Sequence, residues 1–391
     1  MGVPELRSPS RSRRALLLML ASGAALLAAS VAYVAPTRVA GPASPGPASV
    51  APPGLQPVGG EAAWLALYEA ETDRSFEVFK TLDGGKAWER MLTVGSDQPL
   101  SWMHFFDARR GLVLAGTRGN RSAASTLYET SDGGAHWRRN LLPIEGGLSD
   151  RPVRQWLAFA DLDYGWYLAG IGTESAALYR TTDAGATWAE LARVDEIQTS
   201  SHGLLLHGRK AGISFVDRQE GWIGFQGPGP PSVYRSVDGG GTWALERLPQ
   251  APISPGEYRP QELVSPPRVF GSSAVLVVSG AESYVLVSGD QGRTWSEPRP
   301  LPESRCCPSL LDARHWWVTD ANGLWATTDG GRHWRLGAAR VPGGVSLTTV
   351  LPASLSRFWA LGSKTGVFGT SVVLRSGDAG ASWSAVTLPA L

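Results

Sequence analysis

One eight-residue pattern, repeated seven times along the chain, constrains the fold more than any other feature. Each copy has Ser or Thr at position 1, Asp at 3, Gly at 5 and Trp at 8, and we call it the box. Successive box aspartates lie between 39 and 55 residues apart, a period typical of a four-stranded propeller blade. The sequence therefore predicts an all-β, seven-bladed β-propeller. The box aspartates are Asp83, Asp132, Asp183, Asp238, Asp290, Asp329 and Asp378, and the box tryptophans are Trp88, Trp137, Trp188, Trp243, Trp295, Trp334 and Trp383.

The box is predicted to be a turn between two strands. A short apolar segment precedes each box, such as residues 177–180, and another follows it, such as residues 189–192. Between them the Asp carboxylate can accept turn N–H groups, Gly can supply a positive φ, and Trp can cap the sheet. A residue repeated in every blade serves the blade, so we expect the box residues to be structural and not catalytic.

A second motif precedes most boxes and predicts another turn. In three copies Phe stands two residues before an Asp and Gly four residues after it, and a fourth copy is degraded. Each copy would join the innermost strand of a blade to the next strand, which leaves almost no sequence for helices. The turn aspartates are Asp107, Asp161, Asp217 and Asp312.

These repeats resemble a known family. Residues 165–170, Gly-Trp-Tyr-Leu-Ala-Gly, followed by residues 178–188, resemble the repeats of the photosystem II assembly and stability factor family. The single boxes also resemble the Asp-boxes, or BNR repeats, of sialidases, xyloglucanases and sortilin-type receptors. The resemblance covers residues 61–391 and implies a lumenal or exported seven-bladed propeller whose boxes lie opposite its functional face. It is specific for the fold and much less so for function, because such boxes recur in proteins of unrelated activity.

The N-terminal region is typical of an exported protein. Four arginines precede an apolar stretch at residues 15–35, and a segment rich in Pro, Ala, Gly and Ser follows at residues 36–60. We expect a signal peptide or membrane anchor over 1–35, a tether over 36–60, and the propeller over 61–391. Residues 12–17 resemble a twin-arginine signal, so the Sec and Tat routes both stay open, as does cleavage after Ala32. The expected location is the periplasm or the cell exterior.

Composition narrows the class of partner. The chain has 36 basic and 35 acidic residues, and several of the arginines precede the apolar stretch, so the body is close to neutral. This balance speaks against a nucleic-acid binder that neutralises phosphates. Two cysteines are too few for a disulfide scaffold. We expect a monomeric propeller.

The loops between blades contain more basic than acidic residues, and they predict the binding site. A basic patch there would suit an envelope or membrane-complex protein with an acidic surface, or an anionic glycan. The competing interpretation is a set of ordinary solvated loop charges. The candidate partner-binding residues are Arg118, Arg121, Arg151, Arg154, Arg209, Lys210, Arg259 and Arg305.

The alternative is a glycan-active protein of the sialidase superfamily, either a carbohydrate-binding propeller or an enzyme, a glycoside hydrolase. Such an enzyme needs two carboxyl groups flanking one bond, and non-repeated residues such as Glu174 and Glu257 would have to converge on the channel mouth. The Arg-Ile-Pro-like element implied by the sialidase resemblance is missing from residues 61–107, and the boxes suffice for only one propeller. We expect no catalytic residue, no cofactor and no metal, since His202 and His207 have no third ligand nearby in sequence.

Two features leave alternatives open. Cys306 and Cys307 are adjacent, and in an oxidising compartment they can form a vicinal disulfide, stay as thiols or bridge to another chain. Aligning the turn aspartates puts Cys307 where other blades have Trp102 and Trp156, at the entry of an innermost strand. The first blade has no clear innermost strand, so either residues 54–58 supply it or the ring closes in another way.

Overall fold

The chain forms seven four-stranded antiparallel blades, each following the sequence from the innermost to the outermost strand. The computed structural model describes residues 54–68, 75–95, 98–116, 125–143, 153–171, 174–252, 261–280, 282–302, 307–320, 323–364 and 371–389. No α-helix occurs in these ranges, and none of their elements is a helix that could span a membrane. The predicted all-β, seven-bladed propeller is thus confirmed. The predicted signal or anchor at 1–35 lies outside the described residues.

The strands of the first three blades are β1 (Gly54–Pro57), β2 (Ala63–Tyr68), β3 (Phe76–Thr81) and β4 (Glu89–Val94); β5 (Leu100–Phe105), β6 (Gly111–Ala115), β7 (Thr126–Thr130) and β8 (Arg138–Leu141); β9 (Val153–Phe159), β10 (Gly165–Ile171), β11 (Ser175–Thr181) and β12 (Ala189–Val194). A hairpin of β13 (Ser200–Ser201) and β14 (Leu204–Leu205) then separates blade 3 from blade 4.

The strands of the last four blades are β15 (Arg209–Phe215), β16 (Gly221–Gln226), β17 (Ser232–Ser236) and β18 (Ala244–Arg247); β19 (Leu263–Val264) with β20 (Arg268–Phe270), β21 (Ser273–Ser279), β22 (Tyr284–Ser288) and β23 (Arg299–Pro300); β24 (Ser309–Leu310), β25 (Trp316–Asp320), β26 (Gly323–Thr327) and β27 (Arg335–Gly337); β28 (Val345–Pro352), β29 (Phe358–Lys364), β30 (Ser371–Ser376) and β31 (Ser384–Ala385).

The innermost strand of blade 5 is interrupted. β19 and β20 both pair with β21, and the residues between them include Pro266 and Pro267. A proline has no N–H to donate to a ladder, so two in succession break the pairing. At its start β19 also pairs with β16, where Leu263 faces Gln226, which joins blades 4 and 5 in one continuous sheet.

The Phe and Gly-Trp residues of the second motif pack the blades against one another. A Cβ on Gly165 would come within 2.4 Å of the Phe159 ring, so the glycine leaves room for that ring inside its own blade. Trp166 is fully buried and stacks on Phe215 of the next blade, with 3.4 Å between ring centroids. Blade 1 does the same, since Trp64 stacks on Phe105 of blade 2. The motif therefore builds the core between blades as well as a turn.

Strand β1 settles how blade 1 is completed and corrects the predicted boundary at residue 61. Gly54–Pro57 pairs with β2 as the innermost strand of blade 1, although these residues lie within the predicted tether. Leu55 is buried in a cluster with Leu65 and with Trp359 and Val373 of blade 7. Blades 1 and 7 are each built from continuous chain, so side-chain contacts close the ring without an exchanged strand.

Candidate functional site

The two faces of the propeller differ in what they carry. The turns between first and second strands and the boxes lie on one side, which we call the box face. The loops that join blades, and those between second and third strands, lie on the other side, which we call the loop face. This follows from the antiparallel order of each four-stranded blade.

On the box face each repeated octapeptide is a closed hydrogen-bond network. In blade 3 the Thr181 hydroxyl donates to Asp183 Oδ1 at 2.8 Å and accepts the Gly185 N–H at 2.8 Å, while Asp183 Oδ1 also accepts the Thr187 N–H. The same three bonds recur in the other six copies. These carboxylates are hydrogen-bond acceptors that close the turns.

The boxes also bind the neighbouring blade, which the sequence did not predict. The carbonyl oxygen just after the box Asp accepts a donor from the preceding blade. The donors are Lys80 to Gly133, Asn140 to Ala184, Trp166 to Gly239, Arg299 to Gly330 and Arg375 to Gly84. A basic residue directly before the box Ser or Thr, as at Lys80 and Arg375, was the available signal for two of these bonds.

The structure brings together two of the predicted partner-binding residues at the loop face. Arg154 lies at the start of β9 and Arg209 at the start of β15, so both stand at the loop-face end of innermost strands in adjacent blades. Five other candidate partner-binding residues lie outside the described residues, as do Cys306 and Glu257. The five are Arg118, Arg121, Arg151, Arg259 and Arg305.

The arginine pair, Arg154 and Arg209, has N–H groups that lack a hydrogen-bond acceptor. Arg209 Nη2 donates to Gln226 Oε1 at 2.8 Å, but Arg209 Nε and Arg154 Nη1 are buried and have no acceptor. Burial lowers the pKa of both guanidinium groups, and the charge of Arg154 lowers that of Arg209 further. Neither makes an ion pair with a described residue. Two like charges that interact electrostatically, and that have no ion pair among the described residues, favour the binding of an anion.

The expectation that Lys210 contacts a partner at the loop face is wrong. Its side chain is only 2% exposed, and its ammonium donates to the carbonyl oxygens of Leu205 at 2.7 Å, Gly208 at 3.2 Å and His207 at 3.4 Å. It also lies 5.6 Å from the centre of the Tyr234 ring. Successive side chains of a strand point to opposite sides, so Lys210 turns inward where Arg209 does not. Lys210 anchors the segment between β14 and β15.

The remaining candidates are His202, His207, Cys307 and Glu174. The His202 ring is hydrogen-bonded to the Leu191 carbonyl oxygen at 2.8 Å, and the His207 ring packs toward Phe225. No group of three His, Cys, Asp or Glu side chains that could hold a metal occurs in the described ranges. Cys307 is half-buried with a φ of +76° just before β24, whereas Trp102 and Trp156 lie within β5 and β9. Glu174 is exposed at the loop face.

Within the described part of the chain, the innermost strands carry basic residues and no acidic ones. None of the strands nearest the axis, β1, β5, β9, β15, β19, β20, β24 and β28, contains Asp or Glu. They contain three arginines, Lys210 and His104. In a molecule of almost balanced charge, this concentrates positive potential around the axis.

Comparisons with known proteins give information about the fold. No protein-family model matches the chain, and no curated protein does. A solved structure of YCF48 bound to D1 peptide is 20% identical with a TM-score of 0.49, covering 74% of this chain and 82% of that one. YCF48 from Cyanidioschyzon merolae is 15% identical with a TM-score of 0.48, covering 85% and 97%. An oligogalacturonate lyase in complex with manganese is 10% identical with a TM-score of 0.52, covering 82% and 86%.

At these identities the likenesses show the fold alone. The similar structures with TM-scores of at least 0.50 include a prolyl endopeptidase, an oligogalacturonate lyase and an ulvan lyase. Because one fold serves such different activities, function has to be argued from the residues of this chain.

Proposed function

We propose that this chain is an exported, non-enzymatic propeller that binds an acidic segment of a cell-envelope or membrane-complex protein. The contact is the arginine pair, Arg154 and Arg209, at the loop-face mouth of the channel. The observation that carries the proposal is that these neighbouring guanidinium groups have buried N–H donors without acceptors and no ion pair among the described residues.

The chemistry of the arginine pair favours a carboxylate. A guanidinium presents parallel N–H donors that match two carboxylate oxygens, and such charge-assisted bonds are stronger than neutral ones. A buried donor left without an acceptor costs about 1–3 kcal/mol, which a bound carboxylate would recover. Both arginines start on strands of the innermost layer, so little ordering is needed on binding.

A glycan-active protein, a glycoside hydrolase or lectin, is the second candidate. An acidic glycan carries carboxylates too, and the arginine pair would accept them equally well. Hydrolysis would in addition need two carboxyl groups about 5–10 Å apart. Of the pair suggested by the sequence, Glu174 is exposed at the loop face and Glu257 lies outside the described residues.

Export is part of the proposal and has its own test. Residues 1–60 fused to a reporter should carry it out of the cytoplasm. Replacing Arg13 and Arg14 by Lys should block that export if the twin-arginine route is used and leave it unchanged if the Sec route is used. Retention of the unaltered fusion in the cytoplasm would contradict export.

The binding proposal is tested by capture from the solubilised envelope of the host. The immobilised wild type is compared with Arg154→Gln/Arg209→Gln and with a control, Arg139→Gln/Arg335→Gln, which removes two exposed charges from outer strands. We expect one protein in stoichiometric amount on the wild type and the control, released by salt and absent from the first variant. Equal capture by all three, or capture of glycan alone, would contradict the scaffold and call for a hydrolysis screen.

A further inference from the structure

A cavity of about 310 Å³ lies between blades 1 and 7, where the ring closes, and we call it the seam cavity. Its lining comes from the turn between β1 and β2, from the turn between β28 and β29, and from residues 375–384 around the last box. All three segments belong to the box face, so the cavity lies on the opposite side of the propeller from the arginine pair. The lining residues are Glu61, Arg357, Arg375, Ser376, Gly377 and Ser384.

Glu61 of blade 1 holds two guanidinium groups of blade 7 at this cavity. Its Oε1 accepts a hydrogen bond from Arg357 Nη1 at 2.5 Å, and its Oε2 lies 3.1 Å from Arg375 Nη2. Arg375 is fixed further by hydrogen bonds to two carbonyl oxygens of blade 1, each at 2.9 Å. The protein therefore positions both cations before any ligand binds, which lowers the entropic cost of binding.

The glycine at residue 60 makes room for Arg357. A Cβ at that position would come within 2.9 Å of Arg357 Cδ and 3.2 Å of Arg357 Nη1. The corresponding turn of blade 2 has Ala108 there, since Val58 bonds to Ala62 as Phe106 bonds to Arg110. Because blade 1 lacks this side chain, the guanidinium of blade 7 can cross the seam.

Part of the lining is left without a partner. Nε and Nη2 of Arg357 and the hydroxyl of Ser384 make no hydrogen bond with any residue that the structure describes, and both side chains reach solvent. Each oxygen of the Glu61 carboxylate has a second lone pair, which can accept a hydroxyl group. The cavity thus offers a guanidinium edge, a hydroxyl and an acceptor. Two arginines against one glutamate give the lining one net positive charge.

We infer that the seam cavity binds a small hydroxylated monocarboxylate. The Nε and Nη2 edge of Arg357 presents two parallel N–H groups to two carboxylate oxygens, and hydroxyl groups of the same ligand pair with Ser384 and Glu61. One carboxylate neutralises the lining, whereas a phosphate dianion would leave excess negative charge facing Glu61. The volume is at the small end of the range for ligand sites. The site goes beyond the proposed function, because it uses other residues on the other face.

Calorimetric titration of the full chain with sodium glycerate tests the inference. Glycerol, which lacks the carboxylate, and sodium phosphate are the comparison ligands, and sodium chloride is the ionic-strength control. We expect saturable binding of glycerate, weaker binding of phosphate and no binding of glycerol. Arg357→Gln should weaken the binding of glycerate about tenfold or more, and Ser384→Ala about threefold, because the first removes a charge-assisted bond and the second a neutral one.

Arg110→Gln is the matched control. Arg110 occupies the same turn position in blade 2, is about equally exposed, and pairs with Asp107 of its own turn. This variant should bind glycerate as the wild type does. Arg154→Gln/Arg209→Gln should do so too, which distinguishes this site from the loop-face arginine pair.

Thermal unfolding separates binding from folding. The pair formed by Arg357 and Glu61 is about half exposed, so Arg357→Gln should change the Tm little when no ligand is present. Adding glycerate should raise the Tm of the wild type and of Arg110→Gln, and leave that of Arg357→Gln unchanged. Lack of glycerate binding by the wild type, equal affinity for glycerol or phosphate, or wild-type affinity in Arg357→Gln would overturn the inference.

Discussion

Arg209 and Lys210 are adjacent on β15 but have different surroundings. The sequence predicted both to be cations of the loop face. Arg209 lies at the channel mouth, whereas the Lys210 ammonium donates hydrogen bonds to three carbonyl oxygens. The alternation of a strand explains this only once the strand is known to begin at Arg209. A shift of one residue in that start would exchange the two roles, and sequence spacing cannot fix a start so closely.

The enclosure of Lys210 predicts a pH dependence of stability. Burial lowers its pKa to about 8, below the value of an unfolded lysine at roughly 10.4. Between these pH values the unfolded chain binds a proton that the folded chain does not, so this group makes stability rise with pH across that window. The free energy of unfolding of the wild type should therefore increase, relative to Lys210→Met, from pH 8 to pH 10.

Urea denaturation at several pH values measures this difference, and Lys86→Met controls for the loss of one exposed lysine. A wild-type advantage that stays constant or shrinks between pH 8 and pH 10 would show that Lys210 is not a desolvated cation.

Replacing a box aspartate is also predicted to lower the stability, because it removes a hydrogen-bond acceptor. Asp183→Ala removes an acceptor used by Thr181, by the Thr187 N–H and by the Thr187 hydroxyl, and should lower the free energy of unfolding by about 1–3 kcal/mol. Asp163→Ala, at an exposed position in the same blade, should stay within about 0.5 kcal/mol of the wild type. Denaturant unfolding at pH 7 compares the two, and equal effects would contradict the structural role of the box.

At the scale of elements, the sequence could predict those features that are held by hydrogen bonds between residues close in sequence. A box is closed by hydrogen bonds within eight residues, and the Asp turns by bonds within four, so both were predictable from spacing. The strand β1 could be given only as one of two alternatives, because Gly-Leu-Gln-Pro has little strand propensity and is held by pairing with residues 63–66. Stacking of Trp166 on Phe215 likewise joins residues far apart in sequence and belongs to the ring.

The seam between blades 1 and 7 is predicted to be the place where the ring opens first. Arg375 donates to the carbonyl oxygens of Gly84 and Gly60, each at 2.9 Å, and pairs with Glu61 at 3.1 Å. No chain links these two blades directly, and in the described ranges no backbone hydrogen bond joins them, so side chains hold the seam. In Arg375→Ala, amide exchange in β1 and β30 should be faster by about fivefold or more, with the other blades little changed.

Hydrogen-exchange mass spectrometry can locate this effect. Arg180→Ala is the matched control, because Arg180 occupies the same position in blade 3 and lies over Tyr164, while the chain itself connects blades 3 and 4. An equal and general increase in both variants would contradict a weak seam.

At the scale of the whole molecule, the ring assembles sites from residues that the sequence keeps apart. Arg154 and Arg209 were predicted as separate loop cations, and only the adjacency of β9 and β15 makes them a pair. The absence of acidic residues from the innermost strands is also a property of the ring, since it is visible only after those strands are known.

The most direct test of the account is the affinity of the full chain for a labelled, glutamate-rich peptide and for the same peptide with Gln in place of Glu. Fluorescence anisotropy should show binding of the acidic peptide alone, weakened by salt and by about tenfold or more in Arg154→Gln/Arg209→Gln, with Arg139→Gln/Arg335→Gln unchanged. Equal affinity for the two peptides, or wild-type affinity in the Arg154→Gln/Arg209→Gln variant, would contradict the claim that the loop-face arginine pair is a binding site for acidic partners.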